Sequence, residues 1–186
     1  MSGEIAIYFV PAQQQIRIRR IKMELILTVM ANDRPGIAER LAREIELHSG
    51  NWLESRMATM AGKFAGIVRI DVPAEKSESI QKALQGLRDS GLSVQIELGE
   101  TTETSQEQHC IEVVGNDRPG IVREVTNALA SIGINVIDLQ TEIEPASMSG
   151  GLLFRAKIEI ALDAQQSMDL VVKALEDLSP DLMVDQ

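Results

Sequence analysis

The chain has 186 residues, 44% of them apolar and 25% charged, an ordinary globular composition whose length allows one domain or two small ones. Its 28 acidic and 18 basic side chains leave a net charge of -10, which repels a phosphate backbone and argues against direct nucleic-acid binding. A single cysteine, Cys110, excludes an internal disulfide, two histidines, His48 and His109, cannot build a histidine-rich metal cage, and no apolar run reaches the roughly eighteen residues of a membrane span.

Residues 1–22 form an N-terminal extension with one acid and four bases. Its apolar IAIYFV precedes the basic RIRRIK, the reverse of a secretory signal, so the expected location is the cytoplasm. The segment reads as an added strand or tail, or as sequence upstream of a start at Met23. As a nucleic-acid patch its basic tract is short and adjoins no helix-turn-helix pattern. From Met23 onward, ELILTVMA reads as a buried strand, and Ile37, Leu41 and Ile45 recur at helical spacing up to His48. NWLESRMAT and KFAGIVRIDV flank a hairpin break at Ala61-Gly62, with Val68, Ile70 and Val72 alternating against Arg69 and Asp71. Ile80, Ala83, Leu84 and Leu87 mark one face of a second helix, and Leu92, Val94, Ile96 and Leu98 alternate in a last strand. The order is βαββαβ, a ferredoxin-like unit over residues 23–99. Residues 100–108, ETTETSQEQ, hold no apolar side chain and read as a solvated linker.

The second half, residues 109–186, repeats this order. HCIEVVG is a strand, and Ile121, Val125, Leu129 and Ile132 lie along a helix. NVIDLQTEI and LLFRAKIEI pair as strands, Met168, Val171, Val172 and Leu175 mark a second helix, and DLMVDQ is a short last strand. The string NDRPGI at 32–37 returns at 116–121, an offset of 84, and Asn51 falls opposite Asn135 at the same offset. This is a domain duplication. Aligning Ile70 with Ile158 gives an offset of 88, so PASMSGG in the second hairpin is expected to hold four extra residues. The fold class is α+β, two tandem ferredoxin-like domains with antiparallel sheets and helices on one face.

NDRPGI suits a helix start. Asp33 or Asp117 can cap the helix, Pro35 or Pro119 is tolerated in its first turn, and Gly36 or Gly120 lets the backbone approach another group. The first turn also offers unpaired N–H groups and a positive dipole end, suited to a carboxylate or phosphate, with Arg34 and Arg118 adding charge. One reading is a helix start copied with its domain. The other is a ligand loop, favoured because the two copies agree at all six positions while the following helices, AERLAREIELHSG and VREVTNALASIGI, share little beyond apolar spacing.

Strand, NDRPGI, helix, then a glycine-and-asparagine start to the next strand (SGN at 49–51, GIN at 133–135) resembles the ACT domain, a small regulatory module that binds amino acids. The resemblance covers nearly all of residues 23–186 as two tandem domains, and such a chain is most similar to the glycine cleavage system transcriptional repressor family. In ACT domains the ligand commonly sits between two modules, at the loop of one and the second strand of its neighbour. That implies a site from Asn32, Asp33, Arg34, Pro35, Gly36 and Ile37, their counterparts Asn116, Asp117, Arg118, Pro119, Gly120 and Ile121, and the asparagines Asn51 and Asn135. Gly50 directly precedes Asn51 whereas Ile134 separates Asn135 from Gly133, so the two sites are not expected to be chemically equal. Charge separates the halves too: residues 23–100 carry 12 acids and 9 bases, residues 101–186 carry 15 and 5.

A catalytic reading lacks candidates. Cys110 aligns with Ile26 in an apolar strand and is expected to be a small buried hydrophobe; His109 begins that strand, and His48 ends a helix where positive charge suits the dipole. Trp52 is expected to pack in the core. The expectation is therefore a non-catalytic sensor of a small amino acid, glycine on the strength of the resemblance, without cofactor or metal. Such a sensor is expected to form a homo-oligomer and to act through a DNA-binding transcription factor. The alternative is a detached regulatory subunit of an amino-acid biosynthetic enzyme, with that enzyme as the partner.

Overall fold

A computed structural model describes residues 22–99, 107–146 and 151–185; nearly all of the N-terminal extension and most of the linker fall outside them. The chain divides into two compact units, here the first and second lobes. The first runs β1 (Lys22–Asn32), α1 (Ile37–Leu47), β2 (Asn51–Met60), β3 (Lys63–Pro73), α2 (Ser77–Gly86) and β4 (Leu92–Leu98). Its sheet has the order β2-β3-β1-β4, antiparallel at every pairing. β1 is central because it alternates apolar residues without a break: Leu25, Leu27, Val29 and Ala31 are all buried on the helix side. Ile37, Leu41 and Ile45 from α1 and Ile80 and Leu84 from α2 close over them and over Val68, Ile70 and Val72 of β3. Trp52 packs partly buried against this core, as expected.

The second lobe repeats the plan with β5 (Glu107–Asn116), α3 (Ile121–Ser131), β6 (Asn135–Pro145), β7 (Leu152–Leu162), α4 (Met168–Glu176) and β8 (Met183–Asp185), in the order β6-β7-β5-β8. Its own core gathers Ile111, Val113, Val125, Leu129, Ile158, Ile160, Val171 and Leu175. β5 starts two residues before the expected domain boundary, because Glu107 and Gln108 continue the ladder against Leu162 and Ala161. α4 is the helix with a side-chain cap, Ser167 Oγ accepting from the Leu170 N–H at 3.4 Å.

Three expectations need correction. Leu27 pairs with Val68 and Ile111 with Ile158, so Ile158 corresponds to Val68, 90 residues earlier, and the second hairpin is six residues longer, not four. Strand alternation has a period of two, so offsets of 88 and 90 bury the same face; only the pairing with the central strand separates them. Cys110 is exposed, not buried. It shares parity with Ile26, and both lie on the face turned away from the helices. α2 ends at Gly86, and Leu87, though buried, begins a 3₁₀ turn to Ser90. Leu98 ends β4 as expected, and it is 67% exposed.

Both edge strands carry a bulge at corresponding places, between Trp52 and Glu54 in β2 and between Val136 and Asp138 in β6. The short hairpin at Ala61-Gly62 has φ of 48° and 75°, two left-handed residues in a tight turn of the kind that matches strand twist. On the sheet faces away from the helices, Arg69 meets Glu24 at 3.5 Å and Glu54 at 3.1 Å. Arg155 is ringed by Glu112, by Glu144 at 2.7 Å and by Glu142 at 4.0 Å.

Candidate functional site

The loop after each central strand is built in the same way twice. The Asp33 N–H donates to the Gly62 carbonyl at 2.9 Å, and the Asp117 N–H donates to the Leu152 carbonyl at 2.9 Å, so each loop leaves its sheet anchored to the start of the neighbouring strand. Gly36 then takes φ 88° and Gly120 φ 93°, a left-handed turn that redirects the chain into α1 or α3. The first helical bonds follow, Arg40 N–H to Gly36 carbonyl and Glu124 N–H to Gly120 carbonyl, both 3.0 Å.

The helix cap is therefore the glycine. Asp33 and Asp117 do not cap, and the glycine caps receive no side-chain hydrogen bond. Each aspartate sits three residues before the cap, with Arg and Pro between, and Pro35 and Pro119 set the turn ahead of the helix instead of entering its first turn. Ile37 and Ile121 are the first helical residues and bury in their respective cores. The first-turn N–H groups that follow each glycine have no intrahelical acceptor and stand at the positive end of the helix dipole; in the second lobe the Ile121 N–H donates to the Arg118 carbonyl at 3.3 Å.

The arginines diverge. Arg34 donates to the Ser90 carbonyl at 2.5 Å, whereas Arg118 forms a two-pronged pair with Glu124 at 2.7 and 2.5 Å. That pair holds the Arg118 guanidinium above and the Glu124 carboxyl below their usual ranges, in both cases chiefly through the hydrogen bonds between them. Asn32 accepts from Lys63 at 2.5 Å, while Asn116 donates its backbone and side-chain N–H groups to Asp181 at 3.1 and 3.0 Å. The Ser179 hydroxyl first, and the Asn116 backbone N–H next, keep the Asp181 carboxyl below its ordinary range. In the second lobe a groove of about 780 Å³ opens beside the loop, walled by Arg118, Ile121 and Val122 on one side and by Thr141, Ile143 and Phe154 on the other.

Asn51 and Asn135 stand elsewhere. Each begins its edge strand, opposite Asp71 and Ala161 respectively, whereas the loop lies where β2 or β6 ends. Nine strand steps separate Asn51 from Met60, roughly 30 Å at about 3.3 Å per residue. Within either lobe the asparagine and the loop thus occupy opposite ends of the sheet, and neither lobe assembles the full residue set alone. Sequence reasoning passed over Arg40, Glu124 and Asp181. The first two were visible as a charge reversal at the repeat offset; Asp181, some 60 residues past the loop, carried no signal. Among the described residues no group of three or more His, Cys, Asp or Glu side chains is placed to hold a metal ion, and no helix is long and apolar enough to cross a membrane.

Fold and loops together define a chain of two small ferredoxin-like modules, each turning from its central strand into a helix through a left-handed glycine. The chain belongs to the ACT domain family, whose profile matches residues 23–97 and again residues 107–184. A crystal structure of an unknown protein from Galdieria sulphuraria is 29% identical, with 89% of this chain and 97% of that one covered and a TM-score of 0.78. A second, provisionally named as a glycine cleavage system transcriptional repressor, is 18% identical, with 89% and 96% covered and a TM-score of 0.66; at that identity the likeness is one of fold. No curated protein matches the chain.

Proposed function

We propose that the chain is a non-catalytic amino-acid sensor that engages its ligand at the NDRPGI loops, that glycine is this ligand, and that occupancy controls transcription of the glycine cleavage system through a protein partner. The observation that carries the reading is the loop itself: two copies of one six-residue string, each anchored by the same backbone bond and each opening its helix through a left-handed glycine with no side-chain cap. Such a terminus suits the carboxylate shared by all amino acids. ACT membership supports the ligand class, and the name given to the structure at 18% identity supports glycine as the first ligand to test. The net charge of -10 supports a DNA-binding partner over direct contact with DNA. Ligand acts by binding one arrangement of the homo-oligomer more tightly than another.

Thermal unfolding in the presence of each of the twenty amino acids tests this. A ligand at a hundred times its dissociation constant adds roughly 2.7 kcal/mol to stability, and glycine is expected to give such a shift. Gly36→Val is expected to weaken that binding at least tenfold in protein that remains folded. If none of the twenty shifts the transition, the sensor reading is wrong. Affinity capture that retrieves an amino-acid biosynthetic enzyme, with no DNA-binding protein, would reassign the chain as that enzyme's regulatory subunit.

A further inference from the structure

The two motif arginines are in different chemical states. Arg118 holds Glu124 by two parallel N–H···O bonds of 2.7 and 2.5 Å, the fork-on-carboxylate geometry with which arginine recognises any carboxylate. The second lobe thus displays the motif arginine with a carboxylate already seated, and that carboxylate is the chain's own. At the repeat offset of 84 the first lobe has Arg40 in place of Glu124. Arg34 uses one N–H on the Ser90 carbonyl, and among the described residues no carboxylate is paired with Arg34 or Arg40. A Cβ built on Gly120 would make ordinary contact, at 3.9 Å, with the Glu124 carboxylate, which therefore lies beside that loop's glycine.

Charge follows. Asp33, Arg34, Glu39, Arg40 and the Lys63 bound to Asn32 sum to +1 around the first loop, while Asp117, Arg118, Arg123, Glu124 and the Asp181 bound to Asn116 sum to -1 around the second. A ligand carboxylate reaching the second loop has to displace Glu124 from Arg118 and then face Asp181; at the first loop it meets Arg34 and Arg40, neither of them paired with a carboxylate among the described residues.

We infer that Glu124 is a built-in substitute for the ligand's carboxylate, reserving Arg118 and leaving the first loop, with Arg34 and Arg40, as the one that takes an amino-acid carboxylate. This rests on the sensor reading above and adds to it which lobe binds and why. Glu124 is the residue that sets the difference.

Isothermal titration of the full chain with glycine, alanine and serine, with far-UV circular dichroism to confirm folding, tests the assignment. The wild type should bind one equivalent per chain. Arg40→Glu should weaken binding at least tenfold, and Arg40→Gln should act in the same direction if the reversal unfolds the lobe. Glu124→Arg should create a second equivalent, and the milder Glu124→Gln should bring a weaker one within reach. Two equal equivalents in the wild type would overturn the inference, as would loss of binding through Arg118→Gln with Arg40→Glu silent; either result leaves the sensor reading standing. Absence of binding by all twenty amino acids would remove the sensor reading and this inference together.

Discussion

Gly36 separates conformational cost from packing cost. It stands at φ 88°, and an added Cβ would touch nothing within 4 Å, so Gly36→Ala introduces backbone strain and little else. The left-handed region costs an L residue roughly 1–2 kcal/mol, and the reduced freedom of the unfolded chain returns about 0.4–1 kcal/mol. The expected net loss is about 1 kcal/mol. With a urea dependence of about 2 kcal/mol per molar, that lowers the unfolding midpoint by about 0.5 M. Trp52, the single tryptophan, packs against the first-lobe core, so its fluorescence follows the unfolding of the lobe that holds the substitution. Gly66→Ala is the contrast: its Cβ would lie 2.5 Å from the Arg56 carbonyl oxygen and 2.9 Å from Met57 Cα, backbone atoms that cannot yield, for a loss of about 3 kcal/mol. Gly36→Asn, a residue that tolerates the left-handed region, should fall between Gly36→Ala and wild type. If Gly36→Ala costs as much as Gly66→Ala, the space beside the loop is not open; if it stabilises, the glycine is not left-handed.

Three further outcomes are expected. The Glu124 and Asp181 carboxyls have folded-state pKa values below their ordinary ones, so they contribute stability above the ordinary carboxylate value and lose it as pH falls through the lowered one. Glu124→Gln should flatten that part of the acid-unfolding profile, and an unchanged profile would show that the pair with Arg118 adds nothing in solution. Ile158→Ala, at a fully buried position of the second core, should cost about 2–5 kcal/mol by urea unfolding followed with circular dichroism, and a loss under about 1 kcal/mol would mean that this core is loosely filled. Cys110 should react with a thiol reagent in the native protein as fast as a small exposed thiol does, whereas slow, unfolding-limited labelling would place it in an interface.

Much of this architecture was legible because it is periodic. Ile37, Leu41 and Ile45 announced α1, Val68, Ile70 and Val72 announced β3, and the repeat of NDRPGI announced a second copy of everything between. The misreadings arose where period alone is silent. A strand looks the same after a shift of two, so the second hairpin was measured as four extra residues when pairing with β5 makes it six. Cys110 looked buried because its neighbours are apolar, yet parity with Ile26 put it on the far face. At the loop, Asp33 has the chemistry of a cap but stands too early, and Gly36 takes the role through a conformation that a side-chain inventory does not register. The separation of Asn51 from its own loop follows from strand direction, which appears only once helix and strands are laid end to end. The Arg118–Glu124 pair spans the turn into α3 and needed the fold to bring its two ends face to face.

The matching bulges bear on how these lobes tolerate change in chain length. Losing one residue from a strand ordinarily turns every later side chain to the wrong face. In β2 the ladder already skips a residue, pairing Trp52 with Ile70 and Glu54 with Arg69 and leaving Leu53 over; β6 leaves Ile137 over at the equivalent point. Removing Leu53 would join two stretches whose facing is already in step, Trp52 toward the helices and Glu54 away from them. The start of each edge strand is thus a place where a single-codon deletion can pass without inverting the sheet, a permissive point written into both halves of an otherwise length-intolerant ladder.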